Sequence, residues 1–224
     1  MNDYDKFVAN KTINGRQCTI IWHVNDLKIS HMEKRVVDHI IDKLNKRFGE
    51  YSPLSTSTGK KLDYLGMTLD YSAKGKVTLS MYEYIDKILA ELPSDMNGVS
   101  KTPAAGHLFN INPDVTKLTE DKAQLFHHLV AKLLYLCRRT RQDIQTAVAF
   151  LCTRVKEPDN DDYKKLTKVM QYIRNTKHLT LTIEPSTDPK WWVDSSYAVH
   201  PDMRSHRGII MTLGKGTTYS TSTK

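Results

Sequence analysis

One dipeptide in this chain combines a rigid setting with residues suited to metal-assisted phosphoryl transfer. Asn25 and Asp26 lie between an apolar, β-branched stretch (residues 18–24) and an alternating one (residues 27–30), which predicts a β-hairpin with both at its tip. Two-metal phosphoryl transfer needs several acids converging on two cations about 3.5–4 Å apart, and hairpins hold carboxylates rigidly. Asn-Asp is also simply a good turn dipeptide, so without further context the turn interpretation is favoured.

A second candidate acid, Asp194, lies in a Trp-Val-Asp-Ser-Ser segment (residues 192–196) that predicts a strand. Its carboxylate is either a metal ligand or an ordinary outward-facing strand residue. Between Asp194 and Lys224 the only other acid is Asp202, in a loop rich in Arg and His. One ligand cannot assemble a two-metal site, so Asp194 is a metal ligand only as part of a larger set.

Two weaker signals are better explained by structure than by chemistry. Gly214, Lys215 and Gly216 resemble a phosphate-binding loop, but they lack the Gly-x-x-x-x-Gly-Lys spacing and precede a strand, so we interpret them as a turn. His127 and His128 lie in an apolar helical stretch, where adjacent positions point about 100° apart. A shared metal ion is therefore not expected.

Three arginines, Arg138, Arg139 and Arg141, cluster where a predicted helix ends. Cations near a helix C-terminus interact favourably with the helix dipole, which is one explanation for them. Contact with nucleic-acid phosphates is the other. The sequence leaves both open.

The composition indicates a globular protein with a polyanionic partner. Lys and Arg number 33 against 25 acids, giving a formal charge of +8 and a pI near 9.2, which favours nucleic acid. No stretch approaches the roughly 20 apolar residues of a membrane span, and the N-terminus has no signal-peptide pattern. Cys18, Cys137 and Cys152 are odd in number and far apart, which predicts free thiols in a reducing compartment. We expect an intracellular protein, cytoplasmic or nuclear, that is neither secreted nor bound to a membrane.

The elements that would position the hairpin are strands and amphipathic helices. Ser30 and Glu33 have the spacing of a capping box, which predicts a helix that ends at Gly49. Residues 62–71 predict a strand, which a turn connects to a partner strand at residues 76–79.

The rest of the chain predicts more helices and a second β region. Ser80 and Glu83 form another capping-box pattern, opening a helix that ends at Pro93. A long connection follows at residues 94–119, and then three helices with apolar stripes wide enough to pack together. The final strands are predicted at residues 179–183, 191–198, 207–213 and 217–223.

In their order along the chain, these motifs resemble copia-type retrotransposon polyproteins. The resemblance runs from about Tyr4 to Lys224 and rests on stretches that are short one by one but specific in sum: residues 4–5, 22–26, 64–67, 102–104, 130–136, 141–148 and 191–194. It implies an α+β fold that comprises the end of a reverse transcriptase and the start of a ribonuclease H. The regions would be a truncated palm (1–93), a helical thumb or connection (94–178), and an incomplete ribonuclease H-like antiparallel sheet (179–224).

The resemblance also implies roles for individual residues. Asp26 would be the surviving polymerase metal ligand and Asp194 the first ribonuclease H ligand, both for Mg²⁺, with a template–primer of RNA and DNA as partner. The other implied positions are a primer-grip-like segment (Tyr64, Leu65, Gly66 and Met67) and the nucleic-acid-binding arginines (Arg138, Arg139 and Arg141).

The chain departs from the family pattern in ways that bear on activity. Asn25 stands where the family has a first Asp; it is nearly isosteric with Asp but neutral, so it cannot help offset the charge of two divalent ions. His23 stands where most relatives have Tyr or Phe. The remaining polymerase carboxylate and the nucleotide-binding fingers would precede Met1.

We therefore expect a fragment of an RNA-directed DNA polymerase with ribonuclease H that is inactive as this chain. The alternatives are a non-catalytic nucleic-acid-binding remnant and a functionless product of a decayed element. The C-terminal strands would lack the helix that covers them in the ribonuclease H fold. We expect them to fray, to self-associate, or to order by docking on the helical region.

Overall fold

The computed structural model describes all 224 residues, which form two compact units, residues 1–65 and 66–224. Both units combine helices with antiparallel strands. The predicted boundaries at residues 93 and 178 fall inside the second unit. None of the helices has both the length and the apolar character that crossing a bilayer requires.

The first unit is a three-stranded antiparallel sheet followed by a helix and a short strand. Strands β1 (Val8–Ile13), β2 (Arg16–His23) and β3 (Asp26–Ser30) pair in chain order. Helix α1 (Lys34–Phe48) and strand β4 (Lys61–Tyr64) complete the unit. The predicted hairpin and the helix end at Gly49 are confirmed.

Strand β1 is an element that the sequence analysis missed. It joins β2 through Asn14 and Gly15, whose φ angles are +52° and +70°. Positive φ at both central residues is the type I′ geometry that Asn-Gly favours in two-residue hairpins. The dipeptide was therefore an available signal for a strand before residue 14.

The two predicted capping boxes are wrong. Helix α1 has Glu33 itself at the N-cap, and α2 (Tyr82–Ala90) has Met81, both without a side-chain cap. A capping box forms instead at the start of α5 (Asn160–Asn175), where Asp159 accepts hydrogen bonds from the backbone of Asp161 and Asp162. Asp serves as N-cap as well as Ser does, so the Ser/Thr-x-x-Glu pattern was too narrow.

The second unit joins a five-strand antiparallel array to a helical core. Its strands pair in the order β5-β6-β7-β8-β9. Besides α2 and α5, its elements are β5 (Met67–Asp70), β6 (Val77–Ser80), α3 (Glu120–Cys137), α4 (Gln145–Cys152), β7 (Leu181–Ser196), β8 (His206–Lys215) and β9 (Thr217–Thr223).

Two strand predictions are corrected in their bounds. The predicted strand over residues 62–71 is interrupted at Leu65 and Gly66, whose φ angles are +51° and +72°. The separate strands predicted at 179–183 and 191–198 are parts of one strand, β7. Its pairing with β8 shifts register between Pro185 and Pro189.

The three predicted helices α3, α4 and α5 bury one another, as expected, and α2 joins their core. Burial of apolar area is worth about 25 cal/mol per Å², so this core stabilises the second unit. Its fully buried members include Phe126, Leu129, Leu133, Leu136, Val148, Phe150, Leu166, Met170 and Ile173.

The C-terminal strands dock on the helical core, one of the outcomes expected for them. Gln145 Nε2 of α4 donates to Ser220 O (3.2 Å), and the hydroxyls of Ser222 and Thr146 are 3.3 Å apart. Side chains alternate between the two faces of a sheet, so Trp191 and Tyr219 lie on the face opposite the one that packs on the helices. Their ring centroids are 6.4 Å apart. There Trp191 is 57% exposed.

The Gly-Lys-Gly segment is only partly the turn that the sequence predicted, because Gly214 and Lys215 belong to strand β8 and Gly216 alone separates β8 from β9. A Cβ added to Gly214 would lie 2.1 Å from Glu184 O, and one added to Gly216 would lie 2.0 Å from Thr182 O. Both glycines have positive φ. Close backbone approach and left-handed dihedrals together require glycine at these positions.

Candidate active site and nucleic-acid interface

The tip of the β2–β3 hairpin is shifted by one residue from the prediction. His23 pairs with Asp26, so Val24 and Asn25 form the two-residue turn and Asp26 begins β3. Val24 has a φ of +52° and its side chain is exposed. The left-handed region costs a non-glycine residue about 1–2 kcal/mol, and a β-branched side chain is a clear outlier there. The exposed carboxylate of Asp26 thus follows directly on a strained turn.

The first unit brings Asp26 near a second predicted site residue, Tyr64. The Tyr64 hydroxyl is buried and has no hydrogen-bond partner. Burial raises the pKa of Tyr64 above its ordinary value, and the negative charge of Asp26 raises it further. The two side chains, 38 positions apart in sequence, therefore interact electrostatically.

The rest of the primer-grip-like segment is shaped by tight packing. A Cβ on Gly66 would approach the Tyr135 hydroxyl to 3.3 Å, at a φ of +72°. Met67, the next residue, is half-buried and packs against the helical core. Position 66 needs glycine because its φ angle is positive. The Tyr135 hydroxyl also leaves little room there for a side chain.

The acids of this chain do not fit a two-ion magnesium site. No group of three or more His, Cys, Asp or Glu side chains is arranged to hold a metal ion. Asp194 is exposed, and its Oδ1 accepts a hydrogen bond from the backbone N–H of Ser195 (2.9 Å). Asp202 is engaged by Lys224 (2.8 Å) and Arg204 (3.5 Å). Asp26 and Asp194 each stand without the further carboxylates that two divalent ions require.

One of the paired histidines contacts a carboxylate at the end of α2. His127 and His128 are both exposed on α3, and His128 Nε2 lies 3.3 Å from Glu91 Oε2. Lys132 contacts the same carboxylate and, as the larger cause, lowers the pKa of Glu91 below its ordinary value. The group is a surface ion-pair network.

The three arginines have different environments. Arg138, the C-cap of α3, is exposed, and its guanidinium makes no ion pair. Arg139 lies with its guanidinium carbon 3.4 Å from the centroid of the Tyr135 ring and donates to Tyr135 O (3.2 Å). Such stacking holds the cation in place while leaving donors free.

Arg141 does not fit the predicted nucleic-acid contact. Its side chain is 1% exposed and donates twice to Asp143, at 2.9 and 2.8 Å. It also donates to the carbonyl and the hydroxyl of Thr176, at 3.1 and 2.7 Å. A guanidinium held this way cannot reach a phosphate, so Arg141 is a structural residue that ties the start of α4 to the end of α5.

Arg138 and Arg139 border a groove of about 810 Å³ between the helices and β9. Gln142 and Gln145 also line it, and its opposite wall is β9. Every residue of that strand except Tyr219 is Thr or Ser, and β9 is the last strand of its sheet. Sequence analysis missed this wall, although the run of hydroxyl residues was visible.

The chain is similar in sequence to proteins of transposons. It is 24% identical over 207 residues to a Saccharomyces cerevisiae protein assigned to transposon Ty5-1, covering 90% of this chain and 64% of that protein. It is 25% identical over 205 residues to the retrovirus-related Pol polyprotein of the Nicotiana tabacum transposon TNT 1-94, covering 88% of this chain and 15% of the polyprotein. The chain thus spans less than two thirds of the length of these curated relatives. No protein-family model and no solved structure matches it.

Proposed function

We propose that this chain is the reverse transcriptase–ribonuclease H portion of a copia-type retrotransposon polyprotein, and that by itself it binds nucleic acid without catalysing polymerisation. The observation that supports the assignment most is the β2–β3 hairpin, which presents Asp26 within electrostatic reach of the buried Tyr64 hydroxyl. This hairpin occurs in a chain homologous along most of its length to a Pol polyprotein. Under this proposal, residues 1–93 belong to a palm, 94–178 to a thumb or connection, and 179–224 to a ribonuclease H-like sheet.

The lack of catalysis follows from charge. In two-metal transfer the carboxylates offset the positive charge of the ions while holding them about 3.5–4 Å apart. Near the hairpin tip, Asp26 supplies one negative charge and Asn25 only a neutral carbonyl oxygen. Nothing else in these 224 residues completes a group of metal-binding acids around it.

Primer extension tests the proposal directly. The purified chain is incubated with an RNA template, a DNA primer and either Mg²⁺ or Mn²⁺, and we expect no extension above that of an unrelated protein. Asn25→Asp alone should remain inactive, because one restored ligand does not complete the site. Template-dependent extension that Asp26→Ala abolishes would contradict the proposal.

Nucleic-acid binding is favoured by the groove beside Arg138. An unpaired guanidinium, a stacked one and a wall of hydroxyls are the donors that commonly contact phosphate oxygens. The charge of +8 adds a general attraction for polyanions. We infer weak, sequence-independent binding, with the backbone of the nucleic acid lying along α3, α4 and β9.

Salt dependence measures this interaction. On B-form DNA, log K falls with log salt by about 0.9 for each phosphate contacted. Arg138→Ala should therefore flatten the slope by about one phosphate, 0.9. Arg204→Ala is a matched control, because Arg204 is exposed but paired with Asp202 outside the groove. An equal effect of both substitutions would mean that only total charge matters.

A further inference from the structure

A second cavity in the 66–224 unit lies apart from the groove and has no role in the proposed function. Its volume is about 940 Å³, and it forms where the 103–113 loop, the first half of α5 and the 199–201 loop meet. The walls are largely apolar and include Pro103, Ala104, Leu108, Ile111, Val199 and Pro201. The lysines and the aromatic ring that line it indicate which class of ligand it would bind.

Two half-buried lysines of α5 line this cavity without a carboxylate partner. Lys165 Nζ donates to Asn110 O (2.5 Å) and lies 4.6 Å from the Phe150 ring centroid, and Lys168 Nζ donates to Ser100 Oγ (3.2 Å). Residues three apart on a helix are neighbours, so the two lysines leave α5 on the same face. The carboxylate of Asp161, which also lines the cavity, is paired with Lys164 (3.0 Å).

The charge on these lysines is incompletely compensated. Burial lowers the pKa of Lys165, although the acids at the start of α5, including its N-cap, act in the opposite direction. Two of those acids, Asp159 and Asp162, are themselves engaged by Arg154, at 3.2 and 2.9 Å. An anion bound between Lys165 and Lys168 would stabilise charges that the protein leaves without a direct counterion.

An aromatic ring is held rigidly beside these cations. Phe109 is half-buried, and its ring centroid lies 4.9 Å from that of His200 and 5.8 Å from that of Phe150. Contacts on several sides fix the ring, while its remaining surface lines the cavity. Aromatic side chains are common partners of nucleobases, because every base presents a π-face.

We propose that this cavity binds a nucleoside monophosphate unit, with the phosphate between Lys165 and Lys168 and the base against Phe109. The cavity lies within the range of about 300–1,000 Å³ typical of small-molecule sites, which suits one nucleotide better than inorganic phosphate alone. The same unit occurs as a free mononucleotide or as the 5′-phosphorylated end of a strand. The proposal does not depend on the polymerase assignment.

Isothermal titration calorimetry of the full chain with adenosine 5′-monophosphate, adenosine and inorganic phosphate is the test. We expect the monophosphate to bind at one site, at least about tenfold more tightly than either part alone. Lys165→Gln and Lys168→Gln should each weaken it about tenfold, whereas Lys87→Gln, an exposed charge loss on α2, should not. Phe109→Leu should weaken the monophosphate and leave the affinity for inorganic phosphate unchanged, with folding verified by circular dichroism.

Competition distinguishes the two sources of the nucleotide. If strand ends bind, a 5′-phosphorylated oligonucleotide will displace adenosine 5′-monophosphate and its 5′-hydroxyl counterpart will not. If only free nucleotide binds, neither will displace it, and both results support the site. The proposal is overturned if the monophosphate binds no more tightly than inorganic phosphate, or if the lysine variants retain the affinity of the Lys87→Gln control.

Discussion

Replacing Arg141 with alanine is expected to lower the free energy of unfolding by about 3 kcal/mol while leaving nucleic-acid binding by the folded protein intact. The side chain is 1% exposed and makes four hydrogen bonds, two to Asp143 and two to Thr176. The neighbouring Arg138 is exposed and makes no ion pair. Two arginines three positions apart should therefore respond oppositely in stability and binding assays.

The magnitude follows from what truncation leaves behind. Breaking a buried ion pair by removing one partner costs about 3–5 kcal/mol, because the remaining charge is uncompensated. The Asp143 side chain is 34% exposed, so water can partly solvate it, which sets the expected loss at the lower end. The carbonyl and hydroxyl of Thr176 also lose donors, at about 1 kcal/mol each, and water entering the space offsets part of this. A loss of about 3 kcal/mol is a large share of the roughly 5–15 kcal/mol that stabilises a typical protein.

Urea unfolding followed by far-UV circular dichroism measures the effect. With an m value of about 2 kcal/mol per molar urea, the midpoint should fall by about 1.5 M. Arg141→Lys should lie between wild type and alanine, because an ammonium keeps the charge but not the forked geometry. Arg138→Ala should stay within about 0.5 kcal/mol of wild type. If Arg141→Ala left the urea midpoint unchanged and abolished DNA binding, the reasoning would be refuted. Arg141 would then be a nucleic-acid contact rather than a structural residue.

Three further outcomes are expected. Gly214→Ala should lower stability by at least about 2 kcal/mol in thermal unfolding, because its Cβ would lie 2.1 Å from a backbone oxygen at a φ of +96°. The free energy of unfolding should fall as pH drops below about 6.5. Burial lowers the pKa of both His200 and His206 in the folded chain, so the unfolded state binds more protons in this range. Urea titrations from pH 7.5 to 5 measure this loss of stability. Trp191→Ser should reduce concentration-dependent self-association in sedimentation velocity, because Trp191 is 57% exposed on the uncovered sheet face.

Each of these outcomes has a matched control. Gly208→Ala should be nearly neutral, since its Cβ would meet nothing within 4 Å. His206→Gln should flatten the pH dependence, whereas His39→Gln, an exposed residue of α1, should not. Trp192→Ser removes an equally exposed ring, 53%, from the other sheet face and should leave self-association unchanged. A control that behaves like its test variant would contradict the corresponding prediction.

The histidine prediction depends on the groups around both rings. His200 Nε2 lies 3.2 Å from His206 Nδ1, so one of these two nitrogens must carry no proton. Burial is the largest cause of the lowered pKa of both rings, and the positive charge of Lys224 lowers the pKa of His200 further, while Asp202 opposes it. His206 Nε2 contacts Ser222 Oγ of β9 at 2.7 Å. Protonation of both rings should therefore break the contact between His200 and His206 first, because neither facing nitrogen could then accept a hydrogen bond.

Helices with a regular spacing of apolar residues could be predicted from the sequence. Features that depend on contacts between distant residues could not. Helices α3, α4 and α5 follow from their apolar stripes. The same local information could not tell buried Arg141 from exposed Arg138, because the difference arises from Thr176, 35 residues later. The proximity of Tyr64 to Asp26 likewise depends on tertiary packing within the first unit.

Two structural elements had a local sequence signal that the predictions did not use. Asn14 and Gly15 form a hairpin dipeptide that marks the start of β2 and implies β1 before it. The capping-box pattern was applied to serines at 30 and 80, although Asp159 and Asp162 have the same spacing and make the bonds. In both cases the physical rule holds and its application to the sequence was incomplete.

Binding and catalysis are separable in this chain under our proposal, because they reside in different units. The proposed remnant of the polymerase site, Asn25 and Asp26, belongs to residues 1–65, whereas the groove beside Arg138 belongs to residues 66–224. Replacing a carboxylate with an amide removes charge needed only to hold metal ions. It does not touch the guanidinium and hydroxyl groups that would contact phosphates. Loss of the polymerase carboxylate would therefore leave phosphate binding intact, which is why the absence of primer extension and the presence of salt-dependent DNA binding are expected together.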